Sequence, residues 1–359
     1  MQKQGLKNTV NILLVFALGF TGLYFGKPFL VPVCFAGLFA MLFLPITRKL
    51  EKAGINRGLA AAACILIFIT AIALIIALIT WQISSLTSDL GNIEGKVQSM
   101  VQEIKSFISQ SLGISVKKQN EMLDQQSGEA TNLISKLGIS IMDVLVGFVL
   151  MIVYIFLFLY YRRHIKKFIL SVIPKNQDEN TEDAIASIEK VSQKYLTGMG
   201  LMIVSLWIMY GIGFTIVGLK NAFFFAILCG IFEIVPYIGN LTGNAIAILM
   251  ALTQGGGISM VIGIIITYSL VQTIQTYLLE PLVVGTGVNV NPLFTILGLV
   301  LGELVWGISG LVLAIPILAI IKIVCDHIPS LKPYGILIGR ERPTDKRLLE
   351  KIQGWFKKK

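Results

Sequence analysis

Charge is scarce in this 359-residue chain. Asp, Glu, Lys and Arg make up 14% of it and hydrophobic residues 55%, whereas a soluble domain carries about 25% charged residues. A soluble globular protein is thereby excluded. Histidine is nearly absent, and the two present, His164 and His327, stand in basic surroundings without companion ligands. Neither a histidine metal centre nor a histidine-based catalytic site is indicated. The four cysteines, Cys34, Cys64, Cys229 and Cys325, are widely separated in or at the ends of apolar runs, so no disulfide framework or zinc site is expected. A P-loop, an H-E-x-x-H and a G-x-S-x-G are all missing, and Gly307-Ile-Ser-Gly310 is too short for a nucleophile elbow. No enzymatic activity and no cofactor are expected. Uphill transport, if any, must draw on an ion gradient.

What the chain has in abundance is long apolar runs. Asn8–Gly26, Pro28–Ile46, Gly58–Thr80, Ile141–Tyr161, Met199–Leu219 and Ile258–Leu279 each reach the roughly 20 residues a helix needs to cross a hydrocarbon core of about 30 Å. Two longer segments, Asn221–Thr253 and Asn291–Ile323, bring the total to about eight. The expected fold class is an all-α polytopic membrane protein. The first run follows Lys3 and Lys7 but lacks a small-x-small cleavage site and leads at once into another span, so it reads as a retained helix.

Lysine and arginine collect at one set of span ends: Lys3 and Lys7; Arg48, Lys49, Lys52 and Arg57; Arg162, Arg163, Lys166 and Lys167; and nine residues of the tail, from Lys332 to Lys359. If the spans alternate, all fall on one side, which places both termini in the cytoplasm. The net charge of +10 then reflects topology and contact with anionic lipid. Nucleic-acid binding is not expected, because the basic residues flank spans instead of forming a face.

This division gives residues 1–83 as three spans, 84–138 as an outer loop, and 139–165 as the fourth span. A cytoplasmic connector helix follows at 166–198, a transport unit at 199–324 and a basic tail at 325–359. In the outer loop Leu86, Leu90, Ile93, Val97, Met100, Ile104 and Phe107 alternate in steps of four and three, the seam of a helix that packs on another helix. That partner is either the same protomer or membrane surface, or a second subunit of a homo-oligomer.

The transport unit contains an echo. Asn221/Asn291, Phe224/Phe294, Glu233/Glu303, Val235/Val305 and Ile238/Ile308 each lie 70 residues apart, which defines two repeats, 199–253 and 258–324. Both 33-residue segments carry Gly or Pro near the middle. As one straight helix each would measure about 50 Å, long for the hydrocarbon core unless steeply tilted. Two arms around a tip, at Val235–Asn240 and Trp306–Gly310, fit better. The sixth and eighth segments are therefore expected to be re-entrant hairpins of an inverted repeat, the alternative being a pair of tilted or kinked spans. Broken segments of this kind hold the binding sites of secondary carriers, because freed backbone groups persist only in protein or beside water.

Ionisable and polar residues inside apolar segments are costly and usually functional. Glu233, Glu280 and Glu303 head the list. Gln272 and Gln275 share a helix face, with Thr276 beside Gln272. Pro236, Gly239, Asn240, Asn291 and Gly307 mark the tips and segment starts. Glu233 and Glu280 are expected to bind a cation or exchange a proton, and the glutamines to hold a small polar solute. The structural readings are that Glu280 caps a helix before Pro281 and that the glutamines pin helices together. A non-transporting scaffold or assembly protein is the alternative function.

Over nearly the whole chain apart from the outer loop and tail, these residues resemble the autoinducer-2 exporter family of bacterial membrane proteins. The resemblance rests on Pro45, Arg48, Gly54 and Arg57; on Tyr160-Tyr161-Arg162-Arg163 and Tyr195-Leu196-Thr197-Gly198; on Glu233-Ile-Val-Pro236-Tyr-Ile-Gly239; and on Glu280-Pro281 with Gly285, then Gly302, Gly307, Gly310 and Pro316. It implies an oligomeric multispan transporter of the bacterial inner membrane, of a family linked both to signal export and to sodium/proton antiport. Where the family commonly has proline this chain has Asn240, and where it has an aromatic or His this chain has Asn291. At Glu303 a small residue is usual, so that carboxylate inherits no family-wide role.

Overall fold

The computed structural model describes residues 2–87, 141–172, 178–235, 238–284 and 289–340, and these are overwhelmingly helical. In chain order the helices are α1 (Gln2–Phe25), α2 (Lys27–Lys52), α3 (Arg57–Thr87), α4 (Ile141–Val172), α5 (Asp178–Val217), α6 (Ala222–Phe232), α7 (Ile238–Thr253), α8 (Gly257–Ile274), α9 (Pro292–Trp306), α10 (Ile308–His327) and α11 (Lys332–Ile338). Six of them are long and apolar enough to cross a membrane: most of α2, α3, α4 and α5, α8 with its continuation, and α10. The fold class is as expected, a polytopic all-α membrane protein. The heptad seam beyond Thr87, the tip residues Pro236 and Tyr237, Gly285 and the tail after Arg340 lie outside the described residues.

One difference from the sequence reading concerns the connector. The expected connector helix and the fifth span are one 40-residue helix, α5, about 60 Å long. No proline interrupts the junction, and Tyr195 and Ser192 are buried there, so packing overrides the weak helix-breaking tendency of Gly198 and Gly200. Likewise α4 continues past Tyr161, and its Lys166 pairs with Glu182 of α5 at 3.1 Å.

The chain forms two compact units, to both of which α2, α4 and α5 contribute. One comprises Met1–Leu44, Tyr160–Gly198 and Val284–Lys359. Leu38, Trp306 and Leu313 form its core, with Leu30, Val31, Phe35, Val305 and Ile317 around them. The Trp306 indole N–H donates to the Leu23 carbonyl at 2.8 Å, a carbonyl in the last turn of α1 where helical partners run out. The arms α9 and α10 lie side by side, backbone against backbone where Gly302 meets Gly310. No side chain fits between them. At the base of this hairpin Val290 and Gly339 form an antiparallel bridge, with the Asn291 N–H donating to the Ile338 carbonyl at 2.8 Å.

The other unit comprises Pro45–Leu159 and Met199–Val283. Its core is built from Leu206, Tyr210 and Phe214 of α5, Phe225 and Cys229 of α6, Ala247 and Ala251 of α7, and Ile264 and Val271 of α8. Here α6 and α7 form a second hairpin. Gly239 abuts the Phe232 carbonyl and Gly243 the Cys229 backbone. Gln254 closes the base by accepting from the Lys220 N–H at 3.0 Å and donating back to its carbonyl. Both long segments therefore double back. The arms differ in reach: α6, α7 and α9 have 11, 16 and 15 residues and α10 has 20, or about 16, 24, 22 and 30 Å. Three of the four are shorter than a hydrocarbon core of about 30 Å.

Candidate functional site

The break between α6 and α7 follows from its sequence. Glu233 caps α6, and the next amides fold back tightly, Ile234 to Ile231 and Val235 to Phe232. These short bonds end the helix just before Pro236, a residue that disfavours helix in its predecessor. The Glu233 carboxylate is thus delivered at the hairpin tip and is half-buried.

Gln275 meets it there. Its Nε2 donates to Glu233 Oε1 at 2.6 Å, a short bond of the charge-assisted kind. The Gln275 side chain is 1% exposed, and its own carbonyl oxygen is buried with no hydrogen-bond partner. An unmade buried acceptor of this kind is rare in folded proteins.

Glu280 approaches the same amide, for a reason that lies in the backbone. From Gln275 to Val284 the helix widens into a π-helix. Pro281 has no N–H to donate and its ring would press on the carbonyl four residues back, a clash that the wider turn relieves. In an α-helix, residues five apart point about 140° away from each other. Five-residue hydrogen-bond spacing instead brings them to one face. Neither carboxylate has an ion-pair partner among the described residues.

The other expected site residues divide. Gly239 is buried and serves the close approach to Phe232. Asn240 lies in the first turn of α7, its side chain outside the described residues, as is Pro236. Gln272 donates to Thr276, one turn further on, at 3.4 Å. Asn291, Glu303 and Gly307 belong to the other unit. Asn291 is the N-cap of α9, its Oδ1 accepting from the Leu293 N–H at 3.0 Å ahead of Pro292, a structural task. Glu303 is exposed on α9, and its carbonyl accepts from Gly307 at 2.7 Å. Gly307 has φ 64° and ψ −139°, a conformation that glycine adopts without strain.

Sequence reasoning passed over three residues. Tyr210 is buried in α5, and its hydroxyl lies 3.3 Å from Asn244 Nδ2 of α7, which donates to it. Asn244 stands out as an amide inside an apolar arm, the same signal that singled out Gln275. Lys27, the first residue of α2, brings its ammonium close to Gly307 at the tip of the other hairpin. It falls between the apolar runs Asn8–Gly26 and Pro28–Ile46.

The chain matches the AI-2E family transporter pattern over residues 12–330. Bacillus subtilis (strain 168) YueF is 25% identical over 317 residues, covering 82% of this chain and 85% of that protein. The AI-2 transport protein TqsA of Escherichia coli (strain K12) is 20% identical over 321 residues, covering 89% of this chain and 91% of its own length. PerM of the same strain is 22% identical over 331 residues, covering 89% and 93%.

Proposed function

Because the chain belongs to the AI-2E family of transporters, a family of membrane transport proteins, we propose that it is a proton-driven secondary carrier of the bacterial inner membrane. Glu233 carries the proton. The observation that supports this best is the contact between Glu233 and the buried amide of Gln275 at the break of a helical hairpin. A carboxylate with no ion-pair partner among the described residues is held in place there by a neutral donor, which leaves it free to change charge. The two hairpins enter and leave the bilayer on one face each, a reading supported by the closed base at Lys220 and Gln254 and by the bridge between Val290 and Gly339. The clustering of basic residues supports cytoplasmic termini.

The cargo is a small polar solute, exported in exchange for protons; TqsA, the relative named for AI-2 transport, supports this class. Exchange of sodium for protons is the second reading, favoured by two neighbouring carboxylates without an ion-pair partner among the described residues. Proteoliposomes holding a pH-sensitive dye separate the two. Sodium pulses that release protons favour the exchanger, and proton movement only on adding AI-2 or a related polyol favours the exporter. Silence towards both would mean a non-transporting scaffold.

A further inference from the structure

The amide of Gln275 has a feature that carriage of a proton alone does not explain. It donates through Nε2 to Glu233 Oε1 at 2.6 Å, yet its own Oε1 is buried without a partner. A glutamine amide has a donor end and an acceptor end of nearly equal size. An ionised carboxylate only accepts, so it requires the donor end. A protonated carboxyl has an O–H to give, and a donor end facing that O–H leaves two donors opposed.

We propose that Gln275 is a positioning residue whose amide turns over when Glu233 gains its proton, so that the site shows opposite hydrogen-bonding character in its two charge states. With Glu233 ionised, Nε2 faces the carboxylate and the Oε1 acceptor stays buried without a partner. With Glu233 protonated, its O–H donates to Gln275 Oε1 and the NH2 group takes the buried position that Oε1 held. The buried acceptor that is orphaned in one state is satisfied in the other. Only the proton is transferred, and the amide moves by rotation about its terminal bond.

The amide thereby reports the charge of Glu233 to the groups packed around it, as a buried acceptor in one state and as a buried donor in the other. The other titratable groups around Glu233 are Glu280 of the π-helix, Cys229 of α6 and Tyr210 of α5, with Tyr268 of α8 beside Tyr210. Helix α3, which packs on α6, brings Arg57 as its one charged residue and Cys64 as its one thiol. Glu280 is the group whose charge acts on the same amide.

This inference rests on Glu233 being the proton carrier, and the test separates the two claims. Infrared difference spectra between acid and alkaline buffer are recorded on the full chain in lipid, with side-chain carbonyl 13C-glutamine. The expected result is a carboxylic-acid band that is absent in Glu233→Gln, accompanied by a shift of a 13C-amide band that is absent in Gln275→Met and in Gln275→Asn. Two replacements guard against one of them misfolding. A Glu233-dependent acid band without a Gln275-dependent amide shift overturns the turning amide and leaves the proton carrier standing. Absence of any Glu233-dependent acid band overturns both.

Discussion

At the residue scale, one side chain can look like a ligand and serve as a cap. Asn291 was expected in the site because it opens the second repeat. Its carboxamide instead receives the Leu293 N–H, and Asn followed by proline at the first helical position is itself a helix-start signature. That signal was present in the sequence and was outweighed by the repeat. Asn291→Ala should cost about 1 kcal/mol of stability, read as a lower thermal midpoint in detergent, with proton coupling unchanged; a loss of coupling would return Asn291 to the site. Among the carboxylates, Glu280→Gln should slow proton-coupled flux less than Glu233→Gln, because Glu280 is the more exposed of the two. Glu303→Ala should be the mildest. Initial rates in proteoliposomes give the order, and a Glu303→Ala defect as severe as that of Glu233→Gln would contradict it.

At the scale of the element, the two hairpins were legible because helix length, membrane thickness and Gly/Pro interruptions constrain each other. The structure adds how each hairpin stays shut. The Phe232 carbonyl meets Gly239 in one, and the Gly302 carbonyl meets Gly310 in the other. Phe232 and Gly302 are 70 residues apart and Gly239 and Gly310 71, so the two contacts fall within one residue of the same place in the repeat. Gly310→Val should therefore destabilise by more than the roughly 1–3 kcal/mol of ordinary overpacking, since backbone on the far side cannot move aside as a side chain would. Equilibrium unfolding of the mutant measures this, and a loss below 1 kcal/mol would mean that the arms separate easily. The π-helix, by contrast, was not legible. A period of 3.6 puts Gln275 and Glu280 on different faces, and only the backbone distortion around Pro281 joins them. The continuity of α5 was also missed, because Gly198 reads as a boundary when neighbours that bury Tyr195 are unknown.

At the scale of the whole molecule, composition alone sufficed for the class: so little charge and such long apolar runs leave only a polytopic helical membrane protein. The expected site was drawn as a single list of ten residues, and the chain distributes that list over two compact units. Glu233, Gln275 and Glu280 gather in one of them, which a linear reading can nominate but not assemble. Assembly of subunits is a property of this scale too. The seam from Leu86 to Phe107 is proposed to join protomers, so Val97→Asp should reduce the mass of the detergent-solubilised particle. An unchanged mass would assign the seam to the protomer itself or to the membrane surface.

The central claim is that Glu233 carries the transported proton, and the direct measurement is dye-reported proton flux in proteoliposomes containing Glu233→Gln. Glutamine keeps the size of the side chain and its ability to hydrogen-bond but cannot titrate. Proton-coupled flux should vanish while the protein elutes at its normal size and retains its helical content. Undiminished proton-coupled flux in Glu233→Gln would show that the carboxylate is structural and that the proton travels elsewhere.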